Sequence, residues 1–182
     1  MKKQAMMMAL LSAGLIGQSV YAAPSSANIE WIGSVPGAFN GDEIGLTGQG
    51  GGDIQQGELN VEKDGAFSTR TLVNVEAHEM IDTSLLQDGS QLEPGPEMYA
   101  GDVDWSLINA SVAHVAYDAE NDITITMNGV DLVDGTQVTT TAGQHLVSFG
   151  AKSVPPSAGT VLPGDTVVVQ ATIMAEANAG SL

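Results

Sequence analysis

Hydrophobic and polar residues alternate along the stretch from Ala27 to Val35, which reads A-N-I-E-W-I-G-S-V. Successive side chains of a β-strand point to opposite faces, so a period of two predicts a strand with one apolar side. That side carries Ala27, Ile29, Trp31, Gly33 and Val35. The turn-forming sequence Val35-Pro36-Gly37 follows at once and separates the strand from the rest of the chain. The strand therefore needs a sheet on which to pack its apolar face.

A second alternating stretch runs from Thr166 to Glu176, near the other end of the chain. One of its faces is wholly apolar and the other is mixed. The apolar face carries Val167, Val169, Ala171, Ile173 and Ala175. Because this is the longest β-prone stretch in the sequence, we expect it to form a central strand.

Between these two stretches lie four dipeptides of the kind that close two-residue hairpins, in which both residues must tolerate positive φ. They are Asp64-Gly65, Asp88-Gly89, Asn128-Gly129 and Asp134-Gly135. We expect one hairpin between residues 58–63 and 66–77, and a second between residues 123–127 and 130–133.

Residues 105–117 fit either an alternating strand or a helix with one apolar face, and their turn-rich surroundings favour a strand. Residues 138–141 and 145–149 are expected to form a further pair of short strands, joined through residues 142–144. The sequence contains no convincing helix and no internal repeat. About eight to ten short strands with frequent turns predict an all-β fold, an antiparallel β-sandwich rather than a closed barrel.

The first 22 residues have the order of a secretory signal peptide. Lys2 and Lys3 precede an apolar run, and Val20-Tyr21-Ala22 provides a small-residue cleavage site. The apolar run is shorter than the roughly 20 residues that a membrane anchor needs. Removing residues 1–22 from the 182-residue chain leaves 160 residues, enough for a single domain with a real core. We therefore expect export and cleavage.

The mature chain is strongly acidic. All 22 acidic residues but only three of the five basic ones, Lys63, Arg70 and Lys152, follow residue 22, so its net charge is −19. Nucleic acid and anionic lipid both require a cationic surface, and we expect neither as a partner. No segment after residue 22 is long and apolar enough for membrane insertion as a helix. Cysteine is absent, so stability must come from packing and strand pairing.

Candidate binding groups are sparse. The three histidines, His78, His114 and His145, are not spaced as a close ligand pair, which favours isolated surface or edge histidines over a metal site. The glycine-rich segment of residues 45–53 lacks the Lys-Ser/Thr of a phosphate loop, which favours a flexible loop or a bulged strand edge.

The acidic run of residues 118–122 resembles the start of a calcium loop, since alternate carboxylates can bind a hard cation. The sixth position is Ile123 instead of glycine and the twelfth is Gly129 instead of glutamate, which favours a solvated loop. No serine lies in a nucleophile-elbow pattern, and no other group of residues has assignable catalytic roles. We therefore expect neither an enzyme nor a bound cofactor or metal.

In its layout the mature chain resembles a major pilin subunit of chaperone–usher fimbriae. The likeness lies in the export signal, the alternating strand at the mature N-terminus, the cysteine-free β-sandwich and the long alternating C-terminal strand. It is closest to the alternative group of these subunits, which includes the colonisation-factor antigens. The disulfide and the near-terminal tyrosine common in type 1-like subunits are absent here.

The resemblance implies an incomplete immunoglobulin-like sandwich that is completed by donor-strand exchange. Residues 23–36 would be the donor segment and residues 37–182 the pilin domain. The apolar face of residues 27–35 would fill the groove of the next subunit, and residues 166–176 would form one wall of that groove. The implied partners are identical subunits, a periplasmic chaperone, an outer-membrane usher and, in fimbriae that carry one, a tip adhesin. The implied location is a cell-surface fimbria that supports adhesion or biofilm formation.

A secreted, monomeric β-sandwich binding module, such as a lectin or a matrix-associated protein, is the main alternative. In that case residues 27–35 pair within their own domain. The two functions therefore differ in whether Ile29 and Trp31 are buried in their own sandwich or in that of a neighbour.

Overall fold

The protein is described by a computed structural model over residues 43–82, 92–118 and 122–178. The predicted N-terminal strand of residues 27–35, the signal segment and the Asp88-Gly89 dipeptide lie outside these residues. Apart from one short 3₁₀ turn, Gln49–Gly51, all the regular elements described are β-strands. In chain order these are β1 (Ile44–Thr47), β2 (Glu58–Val61), β3 (Phe67–Thr71), β4 (Val73–Asp82), β5 (Leu92–Met98), β6 (Val103–Val112), β7 (Ile123–Met127), β8 (Val130–Leu132), β9 (Gln137–Thr140), β10 (Leu146–Ser153) and β11 (Val169–Ala177).

The strands form two antiparallel sheets that pack on one another, which confirms the predicted all-β sandwich architecture. The larger sheet contains β1 to β5, β7, β8 and β10, with β4 and β10 at its centre. The smaller sheet has three strands in the order β11-β6-β9. Every strand pair is antiparallel, so neighbouring strands can be joined by short turns and no crossover helices are needed.

The main hydrophobic core lies between the two sheets. Trp105 on β6 is fully buried and its ring packs 5.9 Å, centroid to centroid, from that of Phe149 on β10. Val75 and Ala77 on β4 face the same core, as their period of two requires. Burial of large apolar side chains such as these supplies most of the energy that holds the sheets together.

A smaller cluster packs at one end of the sandwich around Phe67, Ala116 and Tyr117. The rings of Phe67 and Tyr117 meet edge to face with centroids 5.5 Å apart. The Tyr117 hydroxyl donates to the carbonyl of Gly65, so a side chain on one loop fixes the turn of another. Burial of the hydroxyl, together with the charges of Asp122 and Asp64, raises the pKa of Tyr117.

Both predicted hairpins form, with different turns. Asn128 and Gly129 both have positive φ, 51° and 80°, as the predicted two-residue turn between β7 and β8 requires. At Asp64-Gly65, between β2 and β3, only Gly65 has positive φ, at 88°, and the loop is longer than two residues. The predicted arm of residues 66–77 is also divided, since β3 ends at Thr71 and β4 begins at Val73.

Four other sequence expectations are wrong in whole or in part. Asp134-Gly135 and residues 142–144 do not close hairpins, because β9 lies in the smaller sheet while β8 and β10 lie in the larger one. The chain enters the smaller sheet at the first turn and leaves it at the second. The strand expected over residues 105–117 forms as part of β6 but ends at Val112. The C-terminal stretch forms β11, which among the described residues is an edge strand and not a central one.

Candidate strand-docking edge

The apolar face of β11 is only half covered. Val169, Ile173, Ala175 and Ala177 point towards the main core and are partly buried, whereas Ala171 is exposed. Val167, the first of the predicted groove residues, precedes β11 and packs on the smaller cluster around Phe67. Four of the five predicted groove residues therefore face a core without being fully enclosed.

The even-numbered residues of β11, and Val168 and Asn178 just beyond its two ends, make the hydrogen bonds to β6. The Val168 carbonyl accepts from Ala113 N–H at 2.8 Å, and Asn178 N–H donates to the Asp102 carbonyl at 2.9 Å. The register slips where β6 carries one extra residue, Ile108, so the alternation along β11 continues unbroken. In an antiparallel ladder the intervening residues direct their backbone groups to the opposite edge. The N–H and C=O groups of residues 169, 171, 173, 175 and 177 thus face away from β6.

No other strand within the described ranges pairs with this outer edge of β11. β1, at the edge of the larger sheet, contacts β11 across the sandwich. Edge strands with unsatisfied backbone groups are templates for pairing with a further strand. We call the outer edge of β11, together with its half-covered apolar face, the β11 edge.

The strand next to the β11 edge, β6, is held rigidly by a buried chain of hydrogen bonds. Trp105 Nε1–H donates to Thr140 Oγ1 at 2.9 Å, and Thr140 Oγ1 lies 2.9 Å from Nδ1 of His145. His145 Nε2 lies 2.8 Å from the Gly101 carbonyl, which can only accept, so Nε2 carries the proton. In the Nε2–H tautomer, Nδ1 accepts from the Thr140 hydroxyl, which also lies 3.4 Å from the Val103 carbonyl. No sequence pattern indicates this network, because Trp105 and Thr140 are 35 residues apart and His145 lies a further five residues along the chain.

The expectation of surface or edge histidines is wrong for two of the three. His145 is fully buried and His78 is 3% exposed. His114, on the loop after β6, lies 3.2 Å from the Asp165 carboxylate through Nε2, while its Nδ1 accepts from Ala116 N–H at 3.2 Å. Both nitrogens of His114 are thus occupied, and neither is available as a catalytic base. The Leu162 N–H and His114 lower the pKa of Asp165.

The glycine-rich loop is ordered around a carboxylate of the protein itself. Glu76 on β4 is buried, and its Oε2 accepts from Gly50 N–H at 2.8 Å, Gly51 N–H at 3.2 Å and His78 Nε2 at 3.1 Å. Gly50 and Gly51 both have positive φ, which glycine adopts without strain. Burial raises the pKa of Glu76, but these hydrogen bonds outweigh it, so the net pKa is lowered. The segment read as a flexible loop instead caps a buried anion.

Asp122, the last residue of the acidic run of residues 118–122, serves as a loop anchor. Asp122 Oδ2 accepts from Asp118 N–H at 2.8 Å and from the Ser157 N–H and hydroxyl at 2.9 Å each. These hydrogen bonds lower the pKa of Asp122. In the described part of the chain, no three His, Asp or Glu side chains converge as metal ligands. Nor does that part contain a helix with the length and apolar character needed to cross a membrane.

Comparison of the sequence with protein-family models and with curated proteins finds no match.

Proposed function

We propose that the chain is a structural subunit of an extracellular fimbria assembled by donor-strand complementation. The observation that carries this proposal is the β11 edge, where a row of outward-facing backbone groups borders a half-covered apolar face. The alternating stretch of residues 27–35 has the same length as β11, nine residues. In this proposal that stretch leaves its own subunit and pairs with the β11 edge of the next one.

The chemistry of the two surfaces is complementary. An added strand gains main-chain hydrogen bonds from the edge, and its alternate side chains fill the partly covered core. Ile29 and Trp31 would cover Val169, Ile173 and Ala175. Because each subunit donates at one end and accepts at the other, the contact does not close on itself and builds a filament.

The proposal includes a route to the cell surface. Residues 1–22 direct export, and a periplasmic chaperone occupies the β11 edge until an outer-membrane usher replaces it with the next subunit. Such protection is needed because a free edge with apolar surface is prone to aggregate. The filament supports adhesion or biofilm formation, with or without a separate tip adhesin.

A pair of substitutions at Ala171 tests the proposal in the full chain. The Ala171 side chain is exposed and its N–H faces away from β6, so Ala171→Pro removes one outward donor and leaves the ladder to β6 intact. Ala171→Val keeps the N–H and serves as the matched control. We expect Ala171→Val to give the wild-type ladder of polymers in unheated SDS gels and Ala171→Pro to give mainly monomers. Equal ladders from both variants would overturn the proposal.

The same gels test the monomeric binding module. That alternative predicts a single monomer band from the wild-type chain itself, because residues 27–35 already pair within their own domain.

A second variant, Trp31→Asp, places a charge on the apolar face of the donor strand. Burial of that charge in a dry groove costs ~3 kcal/mol. We expect it to reduce the polymer and its resistance to heat.

A further inference from the structure

One face of β4 carries a buried histidine with an unused nitrogen. His78 is 3% exposed, and its Nε2 lies 3.1 Å from the Glu76 carboxylate. A carboxylate that already receives two backbone N–H groups is ionised and accepts, so Nε2 carries the proton and donates. The other nitrogen, Nδ1, then has a free lone pair. It is buried and has no hydrogen-bond partner among the described residues.

This arrangement is unusual for a structural histidine. A buried polar atom without a partner is destabilising, and nearly all such atoms in folded proteins are paired. Histidines that bind metals, in contrast, typically donate one ring N–H to a carboxylate, which fixes the tautomer and leaves the other nitrogen for the metal. Glu76 is suited to this role, because Gly50 and Gly51 hold its carboxylate in place.

Two methionines share the face of the sheet that carries His78. Met98 on β5 lies directly opposite His78, and Gly45 on β1 lies opposite it on the other flank. Directly opposed residues of a sheet present their side chains on the same face. Met80, two residues along β4, is also on that face. Its Sδ fills the space above Gly45, only 2.6 Å from where a Cβ at that glycine would lie.

We propose that His78, Met80 and Met98 form a binding site for a soft monovalent cation, Cu(I) being the fitting ion. Imidazole with thioether ligands selects Cu(I), whereas harder divalent ions prefer carboxylate and carbonyl oxygens. With Nε2 as the donor to Glu76, Nδ1 is the ring nitrogen left to bind a cation. The net charge of the mature chain, −19, attracts cations to the surface. The site lies on β4 and β5 of the larger sheet, whereas β11 belongs to the smaller sheet, so cation binding does not depend on strand exchange.

Competition with a chromogenic Cu(I) chelator such as bicinchoninate, under reducing and oxygen-free conditions, tests the site in the mature full chain. We expect one equivalent of Cu(I) to be retained. Met80→Leu and Met98→Leu preserve apolar volume and should each weaken binding by at least about ten-fold. Met174→Leu is the matched control, since Met174 lies on β11 in the other sheet and should leave binding unchanged.

Methionine-methyl NMR provides a second readout. Cu(I), or Ag(I) as a redox-inert substitute, should shift the methyl signals of Met80 and Met98 and leave that of Met174 in place. Failure to retain Cu(I), or retention that both leucine variants share with the wild type, would overturn the proposal. Because the Met80 and Met98 variants keep the Glu76–His78 pair intact, they separate loss of metal binding from loss of folding.

Discussion

Replacing Thr140 by valine removes one hydroxyl from the middle of the buried hydrogen-bond chain. The Thr140 oxygen accepts from Trp105 Nε1–H and donates to His145 Nδ1, both at 2.9 Å, and the Trp105 and His145 side chains are fully buried. Valine has nearly the same shape, so Thr140→Val creates no cavity. It leaves two polar groups without partners in a site that water does not reach.

The expected loss of stability follows from these two orphaned groups. Each buried unsatisfied donor or acceptor costs about 1–3 kcal/mol, so the pair costs roughly 2–6 kcal/mol. The added methyl group of valine recovers part of that, about 0.8 kcal/mol. We therefore expect Thr140→Val to lower the free energy of unfolding by about 3 kcal/mol, a large share of the roughly 5–15 kcal/mol available to a domain.

Urea unfolding followed by circular dichroism measures this loss, with equal m values as the condition for comparing midpoints. Thr140→Ser keeps the hydroxyl and loses one methyl group, so it should cost only about 1 kcal/mol. Thr139→Val is the surface control, since the Thr139 hydroxyl contacts Asp104 at an exposed position, and it should change stability by less than about 0.5 kcal/mol. A Thr140→Val protein as stable as the Thr140→Ser protein would refute the reasoning.

Three further predictions concern other parts of the fold. His145 should be the Nε2–H tautomer, which long-range ¹H–¹⁵N correlations identify, and a protonated Nδ1 at neutral pH would contradict the hydrogen-bond assignment. The hydrogen bonds that lower the pKa of Asp122 stabilise the fold fully above the unfolded-state pKa of about 4, and this contribution is lost as pH falls through the lower folded-state pKa. Asp122→Asn should therefore lower Tm at pH 7 and lose less Tm than wild type on going to pH 3, whereas an unchanged pH dependence would count against the assignment. Gly45→Ala should lower the free energy of unfolding by about 1–3 kcal/mol, because its Cβ would lie 2.6 Å from both Met80 Sδ and the Pro94 ring. Wild-type stability of this variant in urea would show that Met80 and Pro94 are packed loosely over Gly45.

Local sequence patterns predict the features of the fold that depend only on residues close together in the chain. The alternation of Val75 and Ala77 places both in the core, and Asn128-Gly129 makes a turn with two positive φ angles because Asn and Gly both tolerate that conformation. The apolar face of β11 is also readable from its period of two.

What the sequence does not reveal depends on contacts between distant residues. Asp134-Gly135 has the composition of a hairpin turn, yet β9 pairs with β6 and thereby brings Thr140 against Trp105 in the smaller sheet. Trp105 and Thr140 are 35 residues apart, and the sequence of the Asp134-Gly135 turn does not indicate that they meet. The partner of the glycine-rich loop is equally hidden in the sequence, because its N–H groups donate to Glu76, about 25 residues further along the chain. Composition identified the loop but not its partner.

The central claim is that residues 27–35 of one subunit pair with the β11 edge of another. The chain has no cysteine, so two single-cysteine proteins can test this directly, one with Ile29→Cys and the other with Ala171→Cys or Ala175→Cys. Since each chain then carries one thiol, a disulfide can form only between chains, and only if their Cα atoms come within about 7 Å. We predict that co-assembled, oxidised filaments contain a covalent dimer of the two proteins for one of the two pairings. Filaments in which neither pairing gives that dimer would contradict the account.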